Sequence, residues 1–348
     1  MKLEEGIKLD FNDVLFRPKR STLSSRKEVD VEREYTFKYS GRKWKGVPII
    51  SSNMDTVSSI DMFKKLSQHK MLTCFHKFIE IDDVIACIKE GYDAQYMMLS
   101  TGITDKDFVK LQLNIEKLRE SNIDLQFICI DVANGYMFKL VEFCQMVRMI
   151  FPNITLVAGS VVSREITEEL IINGRIDVVR VGIGSGAVCT TRLQTGVGIP
   201  QMSAVIECAD AAHGLNACII SDGGICHPGD VSKAYGGGAD FVMIGSMFAG
   251  HEESPGDIIE EKGEKYKLYY GMSSDTAMNK HHGGVASYRS SEGKTVKVPY
   301  KGSVEGTVQN ILGGVRSTCT YIGASRVKDI HKCATFVRVN NQVNNFYK

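Results

Sequence analysis

Neither sign of charge prevails in this 348-residue chain, which sets 42 Lys and Arg against 41 Asp and Glu for a formal net charge of +1. A balance this close to zero supplies no strongly basic face, and predicts that nucleic acid is not a partner. Long apolar runs are missing as well: no stretch would span a bilayer. The start of the chain, Met1-Lys2-Leu3-Glu4-Glu5, lacks the apolar centre of a signal peptide. Ten cysteines are present, but none forms a C-x-x-C pair or a zinc-type spacing, which predicts free thiols in a reducing compartment. Together these absences predict a cytoplasmic protein without membrane contact. Hydrophobic residues at 43% and charged residues at 24% are enough for a globular core, and the length allows one large domain or two ordinary ones.

What is present is a repeated alternation. Short apolar, β-branched runs occur at Val47–Ser51, Met71–Phe75, Gln95–Leu99, Leu125–Ile130, Ile154–Ala158, Asp177–Val181, Ala217–Ile220 and Phe241–Ile244. Amphipathic segments lie between them, including Ile81–Glu90, Asp105–Glu120, Gly135–Ile150, Glu165–Gly174 and Met202–His213. Strands alternating with helices predict a parallel sheet, and eight such units predict a closed (β/α)8 TIM barrel over residues 1–348. A doubly wound sheet is the competing architecture. The strand ends favour the barrel, because polar, reactive or glycine residues follow nearly every one: Asn53 and Asp55, His76 and Lys77, Asp131, Gly159, Asp222-Gly223-Gly224, Gly245-Ser246. Barrel enzymes build their sites at these ends, with phosphate often held after strands seven and eight. Residues 251–316 fit no further unit and are expected to form an active-site flap, with Val304–Leu312 as a closing helix. The adjacent His281 and His282 are expected to lie in a solvated turn rather than on a metal.

The most pointed segment is Gly182-Ile183-Gly184-Ser185-Gly186-Ala187-Val188-Cys189-Thr190-Thr191-Arg192, directly after the sixth run. Alternate glycines let a backbone turn tightly and approach a ligand. A free cysteine is ordinarily a small buried hydrophobe. At the tip of a glycine loop and beside two hydroxyls, Cys189 is instead a candidate covalent nucleophile. A dinucleotide fingerprint would need a continuing helix and a later acidic residue, whereas the chain runs on into Thr195-Gly196-Val197-Gly198-Ile199-Pro200.

These motifs, with Leu9-Asp10-Phe11-Asn12-Asp13-Val14-Leu15, Asn53-Met54-Asp55-Thr56-Val57, Asp131-Val132-Ala133-Asn134-Gly135-Tyr136, Ser221-Asp222-Gly223-Gly224 and Ile311-Leu312-Gly313-Gly314, resemble the IMP dehydrogenase/GMP reductase family nearly end to end. Three features resemble its reductase branch: no room for the CBS repeats of the dehydrogenases, Tyr288-Arg289 on the flap in place of their Arg-Tyr pair, and Gly271-Met272-Ser273-Ser274. The resemblance implies a homotetrameric (β/α)8 oxidoreductase of purine nucleotide salvage. The implied reaction is reductive deamination of GMP by NADPH, giving IMP and ammonia through a thioimidate on Cys189, with Thr191 and Glu292 moving the proton. GMP is implied to contact Asp222, Gly223, Gly224, Gly245, Ser246, Gly271, Met272, Ser273, Arg289, Ser290, Ser291 and Gly293. For NADPH the implied contacts are Ser25, Arg26, Lys77, Asp131, Val132, Ala133, Ser273, Tyr288, Arg289, Ser317, Thr318, Cys319 and Thr320, some from a neighbouring subunit. Potassium is implied on carbonyls of Gly184, Gly186, Cys189 and Arg192. The chain departs from the family at Ser185 and Ala187, at Ser246, and at Ser51-Ser52. Loss of a hydroxyl at Ala187 suggests that Ser246 supplies a replacement phosphate contact. The alternatives are an IMP dehydrogenase without regulatory repeats, a nucleotide sensor without turnover, and a flavin barrel.

Overall fold

The computed structural model describes residues 1, 3–284, 287–288 and 290–340, and of His282 only the backbone. Its centre is a closed barrel of eight parallel strands. They are β1 (Ile49–Ser51), β2 (Leu72–Phe75), β3 (Met97–Thr101), β4 (Phe127–Asp131), β5 (Thr155–Val161), β6 (Val178–Val181), β7 (Cys218–Asp222) and β8 (Phe241–Ile244). Each pairs with its neighbour in sequence, and β8 closes on β1 through Val242 opposite Ile49. Their residues are almost all buried, as expected for strands covered on both faces and therefore apolar without alternation. The helices α1 (Ile60–Gln68), α2 (Ile81–Lys89), α3 (Asp105–Glu120), α4 (Phe138–Ile150), α5 (Arg164–Ile172), α6 (Gln201–Gly214) and α7 (Pro228–Gly236) alternate with them. Side chains fix several starts. Ser59 caps α1, Thr104 and Asp107 form a capping box on α3, and Pro228 opens α7. The start of α4 lies three residues later than its periodicity suggests. Gly135 donates its N–H to the Ser160 carbonyl as the chain crosses the end of β5, and a side chain there would meet that oxygen at 2.5 Å.

The opposite end of the barrel is plugged from outside the eight units. The hairpin Arg33–Thr36 with Lys43–Gly46 brings Tyr35, Phe37 and Trp44 against Phe127 and Phe241, the first residues of β4 and β8. The Tyr35 and Phe241 rings are 4.6 Å apart. Trp44, Phe127 and Phe241 are among the largest fully buried side chains. One end is thus sealed by aromatic packing, and the other is left for chemistry.

The insertion after β8 is shorter than expected. It forms an antiparallel sheet of β9 (Ile259–Glu261), β10 (Glu264–Tyr270) and β11 (Thr295–Pro299), with the helix α8 (Asp275–His282) between the last two. Residues 305–316 are not flap. They belong to α9 (Glu305–Ile322), which runs ten residues past the expected Val304–Leu312. The pair Gly313-Gly314 does not end it. A side chain on Gly314 would meet Pro228 Cβ at 2.5 Å, so glycine here permits close packing of α9 on α7. The true stop is Gly323 at φ +76. His281 also departs from expectation. It lies in the last turn of α8 and is largely buried, its ring stacked on Phe78 at 3.8 Å and hydrogen-bonded to Asp55.

Beyond these elements, Phe336–Arg338 pairs antiparallel with Val14–Phe16 in a two-stranded sheet. All ten cysteines are unpaired. Among the described residues no helix is long and apolar enough to cross a membrane.

Candidate active site

A cavity of about 220 Å³ opens at the C-terminal ends of the strands. The glycine loop forms one side of it. After Val181 the chain must pass directly over the end of β7, and a Cβ on Gly182 would lie 2.0 Å from the Asp222 carbonyl oxygen. Only glycine fits there, at φ +149. The loop then carries Cys189 to the cavity wall and ends in the short helix Thr191–Thr195.

Cys189 donates its thiol hydrogen to Thr191 Oγ1 at 3.2 Å, and Thr191 donates to Glu292 Oε2 at 2.7 Å. Glu292 comes from the flap, 101 residues further on. Its N–H donates to the Ser273 carbonyl, its own carbonyl accepts from Thr190, and Lys294 donates to Val188. Gly293 lies between Cys189 and Ser274 in bridge pairing with both. A Cβ on Gly293 would meet Ser274 N at 3.0 Å and Gly271 Cα at 3.2 Å. This close approach explains why a glycine follows Glu292. Thiol, hydroxyl and carboxylate are thereby joined by two hydrogen bonds in series, with all three residues lining the cavity.

The floor is polar and ordered by a side chain that the sequence reading missed. Arg180, in the middle of β6, donates through Nε to Asp222 at 2.8 Å and through Nη1 to Asp131 at 2.5 Å. Asn53 supports the other Asp131 oxygen at 2.8 Å. Burial works against the Arg180 charge, but Asp222 and then Asp131 outweigh it and hold its pKa well above the usual range. A signal existed: a cation inside the apolar run Val178-Val179-Arg180-Val181 must be paired if that run is buried. Tyr269 was also missed. Its phenol reaches the cavity beside Gly245, and burial pushes its pKa up, so it stays a neutral donor. Ser52, one of the unexplained serines, is 3% exposed and lines the cavity. Its hydroxyl has no protein partner, as expected of a group left for a ligand. Its neighbour Ser51 bonds Ser58 at 2.8 Å and is structural.

Most of the expected substrate residues converge here. Asp222, Gly223, Gly224, Gly245, Ser246, Gly271, Met272 and Ser273 line the cavity together with Ala187. Gly223 and Gly224 have φ of +94 and +76, and a Cβ on Gly223 would lie 2.3 Å from Ser185 Oγ. That leaves a bare backbone cradle. Ser246 Oγ donates to the Ile225 carbonyl at 3.2 Å. Ser290 bonds Gln194, and Ser291 bonds the Gly293 carbonyl, while Arg289 lies outside the described residues.

A second groove of about 260 Å³ shares Ala133, Met272 and Ser273 with the cavity, and is also lined by Lys77, Phe78, Asp131 and Met278. Lys77 pairs with Asp107 at 3.2 Å. Val132 is buried and Tyr288 is exposed. Neither they nor Ser25, Arg26 and Ser317, Thr318, Cys319 and Thr320 line either space. Ser25 caps the turn Arg26–Glu28, which packs on α9, the helix that carries Ser317, Thr318, Cys319 and Thr320. The Cys319 side chain faces the core. Around the cysteine loop, a Cβ on Gly184 would lie 2.6 Å from Arg192 Cγ, the Gly186 carbonyl accepts from Cys189, and the Arg192 carbonyl accepts from Gly196. Among the described residues no group of three or more His, Cys, Asp or Glu side chains could hold a metal ion.

Fold and site together define a (β/α)8 barrel with a cysteine, linked through a threonine to a glutamate, on the wall of a cavity at the C-terminal ends of its strands. The profile of the IMP dehydrogenase / GMP reductase domain matches residues 8–345, and the chain belongs to that family. A protein of Photobacterium profundum named GMP reductase is 56% identical over 350 residues, covering 100% of this chain and 99% of its own length. One of Klebsiella pneumoniae subsp. pneumoniae, with the same name, shows the same identity and coverage. The GMP reductase of Caenorhabditis elegans is 55% identical over 348 residues, 99% of this chain and 96% of its own.

Proposed function

We propose that this protein is itself a GMP reductase, converting GMP, NADPH and two protons to IMP, ammonium and NADP+ in purine nucleotide salvage. The observation that carries the reading is the hydrogen-bonded series Cys189–Thr191–Glu292 on the wall of the cavity. A binding protein has no use for a nucleophile with its own proton path.

GMP would be held by the Gly223, Gly224, Gly245 and Ser246 cradle at its phosphate and by Asp222 at its ribose. Asp222 is aimed by Arg180. Cys189 Sγ then bonds to purine C2, the thiol proton passing through Thr191 to Glu292. The C2–amino bond breaks as that proton is delivered to the departing ammonia, leaving a thioimidate. Covalent attachment divides one hard substitution into two easier steps, and proton delivery of this kind contributes on the order of 10²–10⁴-fold. When bound, NADPH supplies the hydride that takes the vacated place at C2. Sγ then leaves as a thiolate and regains a proton from solvent by way of Glu292 and Thr191, while the free ammonia takes up the second proton as ammonium.

The groove is the place for a nicotinamide cofactor on this reading, because it shares Ala133, Met272 and Ser273 with the cavity. Lys77, Asp131, Val132, Ala133, Ser273 and Tyr288 would hold it. Ser25, Arg26 and Ser317–Thr320 would serve a neighbouring subunit of a homotetramer, which their separation from this chain's groove favours. The carbonyls of Gly184, Gly186, Cys189 and Arg192 are hard oxygen donors on converging segments, suited to potassium. A cytoplasmic location agrees with ten unpaired cysteines.

The test is loss of NADPH absorbance with GMP. Wild-type protein turns over, and Cys189→Ala does not, while still binding GMP in a calorimetric titration. Turnover by the variant near the wild-type rate refutes the covalent route. NAD reduction with IMP, in place of NADPH oxidation with GMP, would assign the protein to the dehydrogenases.

A further inference from the structure

Asp55 is a buried carboxylate that the proposed chemistry does not use. It stands just past the end of β1 and is 4% exposed. Its Oδ2 accepts from three groups of the flap: His281 Nε2 at 2.6 Å, Lys280 Nζ at 2.9 Å and Tyr270 OH at 2.9 Å. Burial opposes its charge, but the bonds from His281 and Lys280, with the Lys280 charge and the Tyr270 hydroxyl, hold the carboxyl below the usual range. It is therefore an anion gripping the last turn of α8.

That turn shapes the groove. Met278, one turn earlier, lines it, and the His281 ring lies flat on Phe78, another lining residue, at an interplanar angle of 3°. The other end of α8 is held separately. Ser274 caps it, and the Ser273 carbonyl accepts from Glu292. The first end thus belongs to the proton path and the last end to the groove.

We propose that Asp55 is a positioning residue for the nicotinamide cofactor, fixing the C-terminal turn of α8 so that Met278 and Phe78 form one wall of its groove. The proposal rests on the reading of this groove as the cofactor site. Asp55 itself lines neither the cavity nor the groove. A carboxylate is favoured because the single oxygen Oδ2 carries the negative charge that answers the Lys280 ammonium as well as the two other donors; an amide could keep an oxygen there but would remove that charge and bury an N–H at the Oδ1 position, which has no partner.

The experiment compares wild type with Asp55→Asn and His281→Phe, the second keeping a ring on Phe78 while removing a donor. In Asp55→Asn the KM for NADPH should rise about ten-fold and kcat should fall less than about three-fold. The Kd for GMP, titrated without cofactor, should stay within about two-fold. His281→Phe should give a smaller change of the same kind, and the double variant no more than Asp55→Asn alone, as expected for two residues acting through one contact. Hydrogen exchange of the amides in 275–284 should quicken in Asp55→Asn while the barrel strands keep wild-type rates. An unchanged KM for NADPH, or a GMP Kd that rises as much as that KM, overturns the proposal. Should Asp55→Asn not fold, the same criteria apply to His281→Phe. If wild-type protein fails to oxidise NADPH with GMP, the functional reading falls. The anchoring role of Asp55 is then judged by exchange alone, and unchanged rates in 275–284 refute it.

Discussion

Replacing Arg180 by methionine should expose how the floor of the site is held together. Methionine preserves the unbranched stem and removes the charge and every donor. Arg180 is 11% exposed, and its partners Asp222 and Asp131 are 20% and 35% exposed. Without the guanidinium, two carboxylates face each other at the mouth of the barrel. Removing one partner of a buried ion pair costs about 3–5 kcal/mol. Asp131 is open enough for water to compensate part of the loss, so the lower end, about 3 kcal/mol, is expected here. Unfolding entropy for 348 residues is roughly 0.7 kcal/mol per degree, so Tm should fall by about 4 °C near neutral pH. Melting followed by circular dichroism at pH 7.5 gives the result. GMP affinity should also drop, because Asp222 is no longer aimed. A Tm deficit under about 1 °C would refute the view that Arg180 neutralises this pair.

Glu292→Gln should slow ammonia release more than hydride transfer, so rapid quenching should find no accumulated thioimidate. Normal accumulation followed by slow reduction would reverse the assigned role. Ser246→Gly should raise the GMP dissociation constant about ten-fold, since a hydrogen bond to a charged group contributes about 1.5–3 kcal/mol, and adding Ala187→Ser should recover most of it. If neither change moves the affinity, the two positions do not exchange a phosphate contact. Burial brings the His76 imidazole down to about 4, against about 6.5 unfolded. The unfolded chain therefore binds the extra proton between those values, and stability should fall by up to about 3 kcal/mol as pH drops from 6.5 to 4. Urea titrations of His76→Gln across that range should lose this component, and curves parallel to wild type would count against it.

By itself, the sequence determined the eight strands, the order of the units and the end of the barrel where the site lies. The reason is local: fully buried parallel strands are short apolar runs, and the helices between them keep their own periodicity. It also singled out Cys189 as the candidate nucleophile, because a cysteine after alternate glycines and before two threonines is unusual within a single short segment. Only the tertiary structure decided what depends on distant residues meeting. Glu292 reaches Thr191 because Gly293 lets the flap lie against the cysteine loop. Gly313 and Gly314 resemble a helix stop, but Gly314 instead makes room for Pro228 of α7. The aromatic plug at the foot of the barrel joins a hairpin near residue 40 to strands near 127 and 241, and no local pattern marks that contact. His281 reads as part of a polar turn until the fold buries it against Asp55 and Phe78. Arg180 reads as an interruption in a strand until the barrel closes and places a carboxylate on each side of it. In each case the residue's chemistry is written in the chain, while its partner is chosen by the closure of the barrel, which brings eight strand ends around one mouth.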